Sequence, residues 1–351
     1  MLSFGDMRLY HAESGLRICN WLIADIMMFL VKYIIPHMIN TILNVIAPII
    51  LVMLIGAIYG RLFKPDPKMI STMIIYLFAP FLVLEGITNA DVQADELLQI
   101  GVFVVIVSVA LSLMVGGIGQ FIKLDRRTTS TLILCIVIFN GANYGVPFNT
   151  FAFGLEAAEI AVVYYAASAI VTNTLGIYLA AWGTGQSARG AIISVIRVPI
   201  LYATVIGVGL NLLGWYIPTT GSVVPPEHTA IPLTIARVID VLADATIPLM
   251  LVMIGIQLQN LTLPRHKLQQ IIIAGLGALL LAPLVAALFA TALGMDGLIR
   301  QVGIVQWGMP TAVMVSAIVT QFDGDTELAN GTLLFSTLGS ILTLSLLVEL
   351  L

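Results

Sequence analysis

The chain has 351 residues, of which 59% are hydrophobic and only 10% charged, and its formal net charge is −4. Its mean hydropathy is +1.05. A soluble domain carries about 25% charged residues, so this composition excludes a soluble enzyme, a disordered chain and a nucleic-acid-binding protein.

A membrane-spanning helix needs about 20 apolar residues, and polar punctuation divides most of the chain into ten such segments. The first 37 residues fit this plan poorly. Residues 19–35 are apolar but short, and they contain Asp25 and Lys32. A peripheral helix is expected there; an eleventh span, or a functional start near Met38, are the alternatives.

The first segment, 40–60, is followed by Arg61, Lys64 and Lys68. The second, 69–89, contains Pro80 and Glu85, and the loop after it carries Asp91, Asp95 and Glu96. The third, 98–121, ends before Lys123, Arg126 and Arg127. The fourth, 129–152, is interrupted by Asn140-Gly141-Ala142-Asn143-Tyr144-Gly145-Val146-Pro147. That run is poor helix material and is expected to be an unwound crossover, with Pro147 opening the second half-helix at its first turn. The freed backbone must be rebonded or line a cavity. The half-helix would point a positive dipole end and free N–H groups into the membrane centre, which favours an anion.

The fifth segment, 157–182, leads to a loop near Arg189 and Arg197, and the sixth spans 191–214. The seventh, 231–257, holds Arg237, Asp240, Asp244 and Pro248. Arg237, Asp240 and Asp244 are spaced to share one helical face. An intramembrane charge is expensive, so the readings are a structural Arg237–Asp240 ion pair, or an ion or proton site at Asp244. Arg265 and Lys267 precede the eighth segment, 268–293, and Arg300 opens the ninth, 298–321. The ninth carries Gln306, Trp307, Gly308, Pro310 and Thr311 in the place that Asn143 to Pro147 occupy in the fourth. The tenth spans 327–350.

Basic residues crowd the odd-numbered loops, which puts those loops in the cytoplasm and the C-terminus outside. The ninth-to-tenth loop breaks the pattern, with Asp323 and Asp325 and no basic residue. Two landmarks repeat at one period. Pro80 and Pro248 are 168 residues apart, and Pro147 and Pro310 are 163 apart. The expected architecture is therefore an all-α membrane protein of about ten helices in two five-helix repeats, 38–182 and 190–351, with broken fourth and ninth helices. Five is odd, so the second repeat enters the membrane inverted, as in secondary transporters with a site at the repeat interface. Asn140, Asn143, Tyr144, Gly145, Pro147, Gln306, Gly308, Pro310 and Thr311 are the candidate substrate-binding residues. Asp244, Asp240 and Arg237 are the candidates for ion coupling.

These residues resemble the auxin efflux carrier family, which includes the plant PIN-FORMED carriers and many microbial members. The resemblance rests on FAPFLVLEGI in segment two, NGANYGVP in four, LADATIPLMLVMIGIQL in seven and VQWGMPTAVMVSAIVTQFDGD in nine. It covers about residues 38–351. It implies a bile-acid sodium symporter-like fold with a scaffold and a transporter domain, and transport of organic anions such as malate, malonate or auxin. It also implies a homodimer for the plant members. The loop at 183–190 is short, so regulation through a long central loop is not expected.

The leading expectation is a multi-pass cell-membrane secondary transporter that moves a small organic anion by alternating access. An anion channel or facilitative uniporter is the alternative, although nothing repeats like a filter loop. His11, His37, His228 and His266 lie at or outside the segment ends, and no H-E-x-x-H occurs. An enzyme is therefore not expected. No cofactor is expected either, and without a Walker motif the energy must come from gradients; the readings left open are coupling to H+, coupling to Na+ and no ion coupling.

Overall fold

A computed structural model describes residues 35–187, 198–219, 232–259 and 261–351. The N-terminal extension and the loop residues Arg189 and Arg197 lie outside these residues. The described chain is helical, and an isolated antiparallel bridge joins Phe139 to Thr311.

Seven of its helices are long and apolar enough to cross a membrane. In chain order they are α1 (Pro36–Phe63), α2 (Pro67–Asn89), α3 (Ala94–Phe121), α6 (Leu155–Thr184), α8 (Leu233–Leu258), α9 (Arg265–Ala292) and α12 (Thr326–Leu350). A shorter apolar helix, α7, spans Pro199–Leu212. Between α3 and α6 lie two shorter helices, α4 (Arg126–Val137) and α5 (Val146–Phe153). Between α9 and α12 lie α10 (Gly297–Trp307) and α11 (Val313–Gln321). Leu43, Leu51, Ile55, Leu62, Leu284, Leu288 and Leu342 point large apolar side chains outward, as a lipid-facing surface requires. Several serines and threonines inside the spans satisfy their hydroxyls on their own helix. Ser108 donates to Val104 O (2.6 Å), and Thr150 donates to Val146 O (2.8 Å). This i−4 bonding removes the need for water.

The prolines are accommodated by one recurring device. Pro48, Pro80, Pro147 and Pro283 each follow a five-residue π turn, at Ile42–Ile46, Ile74–Phe78, Gly141–Gly145 and Gly277–Leu281. A proline has no N–H to give and its ring meets the carbonyl four residues back. A wider turn just before it lets the chain pass without breaking. Pro248 sits inside α8 with no such turn.

The helices sort into two packed groups. In one, α1 lies on α8 and α7 lies on α2, while α2 also meets α8. The other joins α3, α4, α6, α9, α10 and α12. The α1–α8 contact is backbone on backbone. A Cβ added to Gly56 would strike the Val252 carbonyl, and one added to Gly255 would strike the Met53 carbonyl. Neither obstacle is a movable side chain. Gly255→Ala is therefore expected to destabilise the protein by about 1–3 kcal/mol, read as a lower melting temperature in detergent. Gly101→Ala in α3, where a Cβ meets nothing within 4 Å, should leave stability unchanged or slightly higher. Equal behaviour of the two variants would remove the α1–α8 contact from the account.

The acidic ninth-to-tenth loop finds its basic partners in other loops. The Lys267 ammonium pairs with the Asp325 carboxylate, and His266 Nε2 lies 3.0 Å from Glu327 Oε2. Arg127 donates to the Gly324 carbonyl (2.9 Å), and Gln186 donates to Asp323 Oδ2 (3.0 Å). Nearby, Asp125 caps α4 by accepting the Thr128 N–H at 2.9 Å. That backbone bond holds the Asp125 carboxyl below its ordinary pKa. A depressed folded-state pKa means that the cap stabilises fully above the unfolded value and is lost as pH falls through the folded one. Asp125→Ala should cost about 1 kcal/mol at neutral pH, and the difference from wild type should shrink in acid. A pH-independent difference in melting would contradict the cap.

Candidate functional site

The two interrupted segments meet at their interruptions. The Asn140 N–H donates to the Pro310 carbonyl (2.8 Å), and the Ala312 N–H donates to the Ile138 carbonyl (2.9 Å). These two bonds flank the Phe139–Thr311 bridge. A short antiparallel rung thus rebonds backbone groups that both breaks set free, as burial away from water demands. Thr311 adds a second tie. Its hydroxyl donates to the Cys135 carbonyl (2.7 Å) at the end of α4, and its N–H donates to Ser336 Oγ (3.1 Å) of α12.

The break differs in one respect from the expectation. Gly141–Gly145 is not unwound but forms a π turn leading into α5. The non-helical stretch is Ile138 to Asn140, and Pro147 lies within the first two residues of the α-helical part. The Val146 N–H reaches back to the Gly141 carbonyl and the Gly145 N–H to the Asn140 carbonyl. This longer spacing admits the proline without unwinding. Pro310, by contrast, lies in the break between α10 and α11.

The candidate residues divide by environment. Tyr144 and Gly308 are packed into the interior. The Tyr144 hydroxyl accepts from Ser340 Oγ of α12 (3.4 Å), and Gly308 abuts Leu347. Asn140 is buried at the rung. Gln306 is fully buried, and its Nε2 donates to the Ala161 carbonyl of α6 (3.1 Å) and to the Gly141 carbonyl (3.5 Å). Trp307 is equally buried, its ring centroid 4.8 Å from that of Phe139 with the planes tilted by 58°, and its indole N–H has no partner among the described residues. Asn143 is different. It is half-buried between buried neighbours, and its amide makes no hydrogen bond among the described residues. No backbone carbonyl among the described residues accepts from the N–H groups of Ala142 and Asn143, or from those of Val313 and Met314 opening α11. Each second half-helix therefore brings unsatisfied donors to the crossing, where a helix start favours negative charge.

Residues of α8 pack against the Gly141–Gly145 turn. On that helix Asp240 is buried, whereas Arg237 and Asp244 are exposed. Asp240 and Asp244 both lie within electrostatic range of Glu85 on α2. Sequence reasoning passed over Asn149. It is fully buried one turn beyond Gly145, whose carbonyl it binds through Nδ2 at 2.7 Å. Its one available signal was an amide one turn after the glycine.

The chain is similar to known proteins along most of its length. An uncharacterized transporter of Methanothermobacter thermautotrophicus is 24% identical over 290 residues, which cover 82% of this chain and 90% of that protein. An uncharacterized transporter of Methanocaldococcus jannaschii is 23% identical over 300 residues, covering 84% and 93%. Residues 41–348 match the family described as membrane transport protein. The chain thus belongs to that family of multi-pass membrane transporters, to which the auxin efflux carriers also belong.

Proposed function

We propose that the protein is a secondary transporter that moves a small organic anion, a carboxylate such as malate, malonate or an auxin-like acid, by alternating access. The observation that carries this reading is the crossing itself. Two half-helices begin there with free N–H groups, beside the unpaired Asn143 amide. A carboxylate can accept from all of these without a cationic side chain, and charge-assisted bonds of this kind are the strong ones. Asn143 is assigned the direct substrate contact. Asn140, Tyr144, Gly145, Pro147, Gln306, Gly308, Pro310 and Thr311 shape and hold the crossing around it.

Ten spans in two inverted five-helix repeats account for the packing. The repeat partners exchange contacts reciprocally. As α1 meets α8, α7 meets α2, and as α4 meets α12, α10 meets α6. In this reading the group formed by α1, α2, α7 and α8 is the scaffold, and the crossing moves with the other group. Odd-numbered loops face the cytoplasm and the C-terminus faces out. Asp244, with Asp240 and Arg237, is assigned the coupling to H+ or Na+, because these charges stand on the scaffold helix that packs against the Gly141–Gly145 turn.

A panel of radiolabelled carboxylates offered to proteoliposomes, with and without pH and sodium gradients, tests the proposal. Gradient-driven accumulation of at least one carboxylate is expected. Uptake that equilibrates regardless of the gradients would favour a uniporter or channel, and no carboxylate flux at all would reject the anion reading.

A further inference from the structure

Helices α1 and α2 each pack on α8, and an apolar groove of about 360 Å³ runs between them. Its walls include Ile55 and Tyr59 of α1, Ile70 and Met73 of α2, and Leu249 and Ile256 of α8. A volume of this size falls in the range of small-molecule sites. Ile55, Tyr59 and Met73 are exposed, so the groove opens on the surface of the protein, and none of its lining residues belongs to the crossing.

One end of the groove is fixed by the chain. Tyr59 lies one turn before the end of α1 at Phe63, Ile70 lies in the first turn of α2, and Ile256 lies in the last turn of α8. Only Lys64, Pro65 and Asp66 join α1 to α2. Around this short turn stand Arg61, Lys64 and Lys68, all exposed and without an ion pair among the described residues. At a rise of about 1.5 Å per residue, Lys64 stands on the order of 7 Å beyond Tyr59 along α1, which is the reach of a lysine side chain. Asp66, the one acid in the turn, is turned to its own helix, where it caps α2 by accepting the Lys68 N–H (2.9 Å). The last turns of α8 carry no acid after Asp244. An apolar groove thus ends in a cationic mouth.

We propose that the groove holds one anionic phospholipid. An acyl chain lies between α1 and α2 over α8, and the phosphate sits at the turn, where Arg61, Lys64 and Lys68 donate to it. Basic residues at the membrane surface favour anionic lipid, whereas a choline headgroup would bring a further cation to the mouth. A second copy of the chain fits the groove less well. A two-fold contact through this face would set the same three cations of both copies at one membrane level. The lipid would brace α2 against α1 at the end where only the turn joins them. The site does not depend on which substrate is carried.

The test uses the purified full chain in detergent, titrated in native mass spectrometry with phosphatidylglycerol and with phosphatidylcholine of the same acyl chains. Wild type is expected to hold one phosphatidylglycerol roughly 10-fold or more tighter than phosphatidylcholine. The triple variant Arg61→Gln, Lys64→Asn, Lys68→Gln should lose that preference while melting like wild type. Its side chains are exposed, and asparagine tolerates the positive φ at Lys64. Met73→Trp, which fills the groove, should lose the bound lipid. Equal retention of the two lipids by the wild type would overturn the proposal. A preference that survives in either variant would place the anionic lipid elsewhere and overturn it equally. So would a wild-type dimer that Met73→Trp converts to a monomer with its lipid preference intact, because a second copy would then be what covers the groove.

Discussion

Asn143→Ala is expected to weaken binding of the transported carboxylate by roughly 10-fold to 100-fold, the value of one hydrogen bond to a charged group. It should do so without unfolding the protein. The Asn143 amide has no protein partner among the described residues, so its removal orphans nothing, and alanine is the better helix former. The same truncation at Gln306 would release the Ala161 carbonyl of α6, and at Thr311 it would release the Cys135 carbonyl at the end of α4. Those variants should lose stability as well as transport. The contrast makes the assignment specific, since only at Asn143 should affinity fall while melting stays put. Wild-type affinity in Asn143→Ala, measured for an established substrate, would remove Asn143 from the site.

Asp244→Asn should abolish gradient-driven accumulation while changing substrate affinity far less. Asparagine keeps the shape of the side chain and deletes its charge. Asp244 is exposed on α8, one turn after buried Asp240 and within electrostatic range of Glu85. In the proposed alternating-access cycle, a carboxylate so placed would take up and release a cation as the crossing is exposed to each side in turn. A coupling free energy of about 1–3 kcal/mol corresponds to a loss of 5-fold to 150-fold in accumulation. A purely structural carboxylate would instead lower stability and leave the pH and sodium dependence of transport untouched. Accumulation at the wild-type level with unchanged ion dependence would show that coupling resides elsewhere.

Much of this architecture was legible in the sequence, for reasons that particular residues make plain. The helices α1, α2, α3 and α12 begin and end within a few residues of the expected segments, because the interruptions are charged or contain proline, as in Lys64-Pro65-Asp66-Pro67. The two interrupted segments were legible because Gly308 and Pro310, and Asn140 with Gly141, weaken a helix wherever they occur. The position of the first break was not. Pro147 drew attention to itself, yet a proline after a π turn leaves a helix continuous, and the break fell at Ile138–Asn140, where two of three residues are apolar and carry no signal. Pairings across the fold were equally hidden. Nothing local joins Thr311 to Cys135 or Gln306 to Ala161, and the acidic loop at Asp323 and Asp325 looked anomalous only because Lys267, His266 and Arg127 reach it from distant segments.

The central claim is that a carboxylate binds at the crossing and is carried across by alternating access. Counterflow tests it most directly. Proteoliposomes are loaded with an unlabelled carboxylate, labelled carboxylate is added outside, and wild type is compared with Asn143→Ala. The account predicts saturable uptake that is stimulated by the internal anion, with the half-saturating concentration raised in Asn143→Ala. Flux that rises linearly with concentration, indifferent to the internal anion and to Asn143, would contradict it.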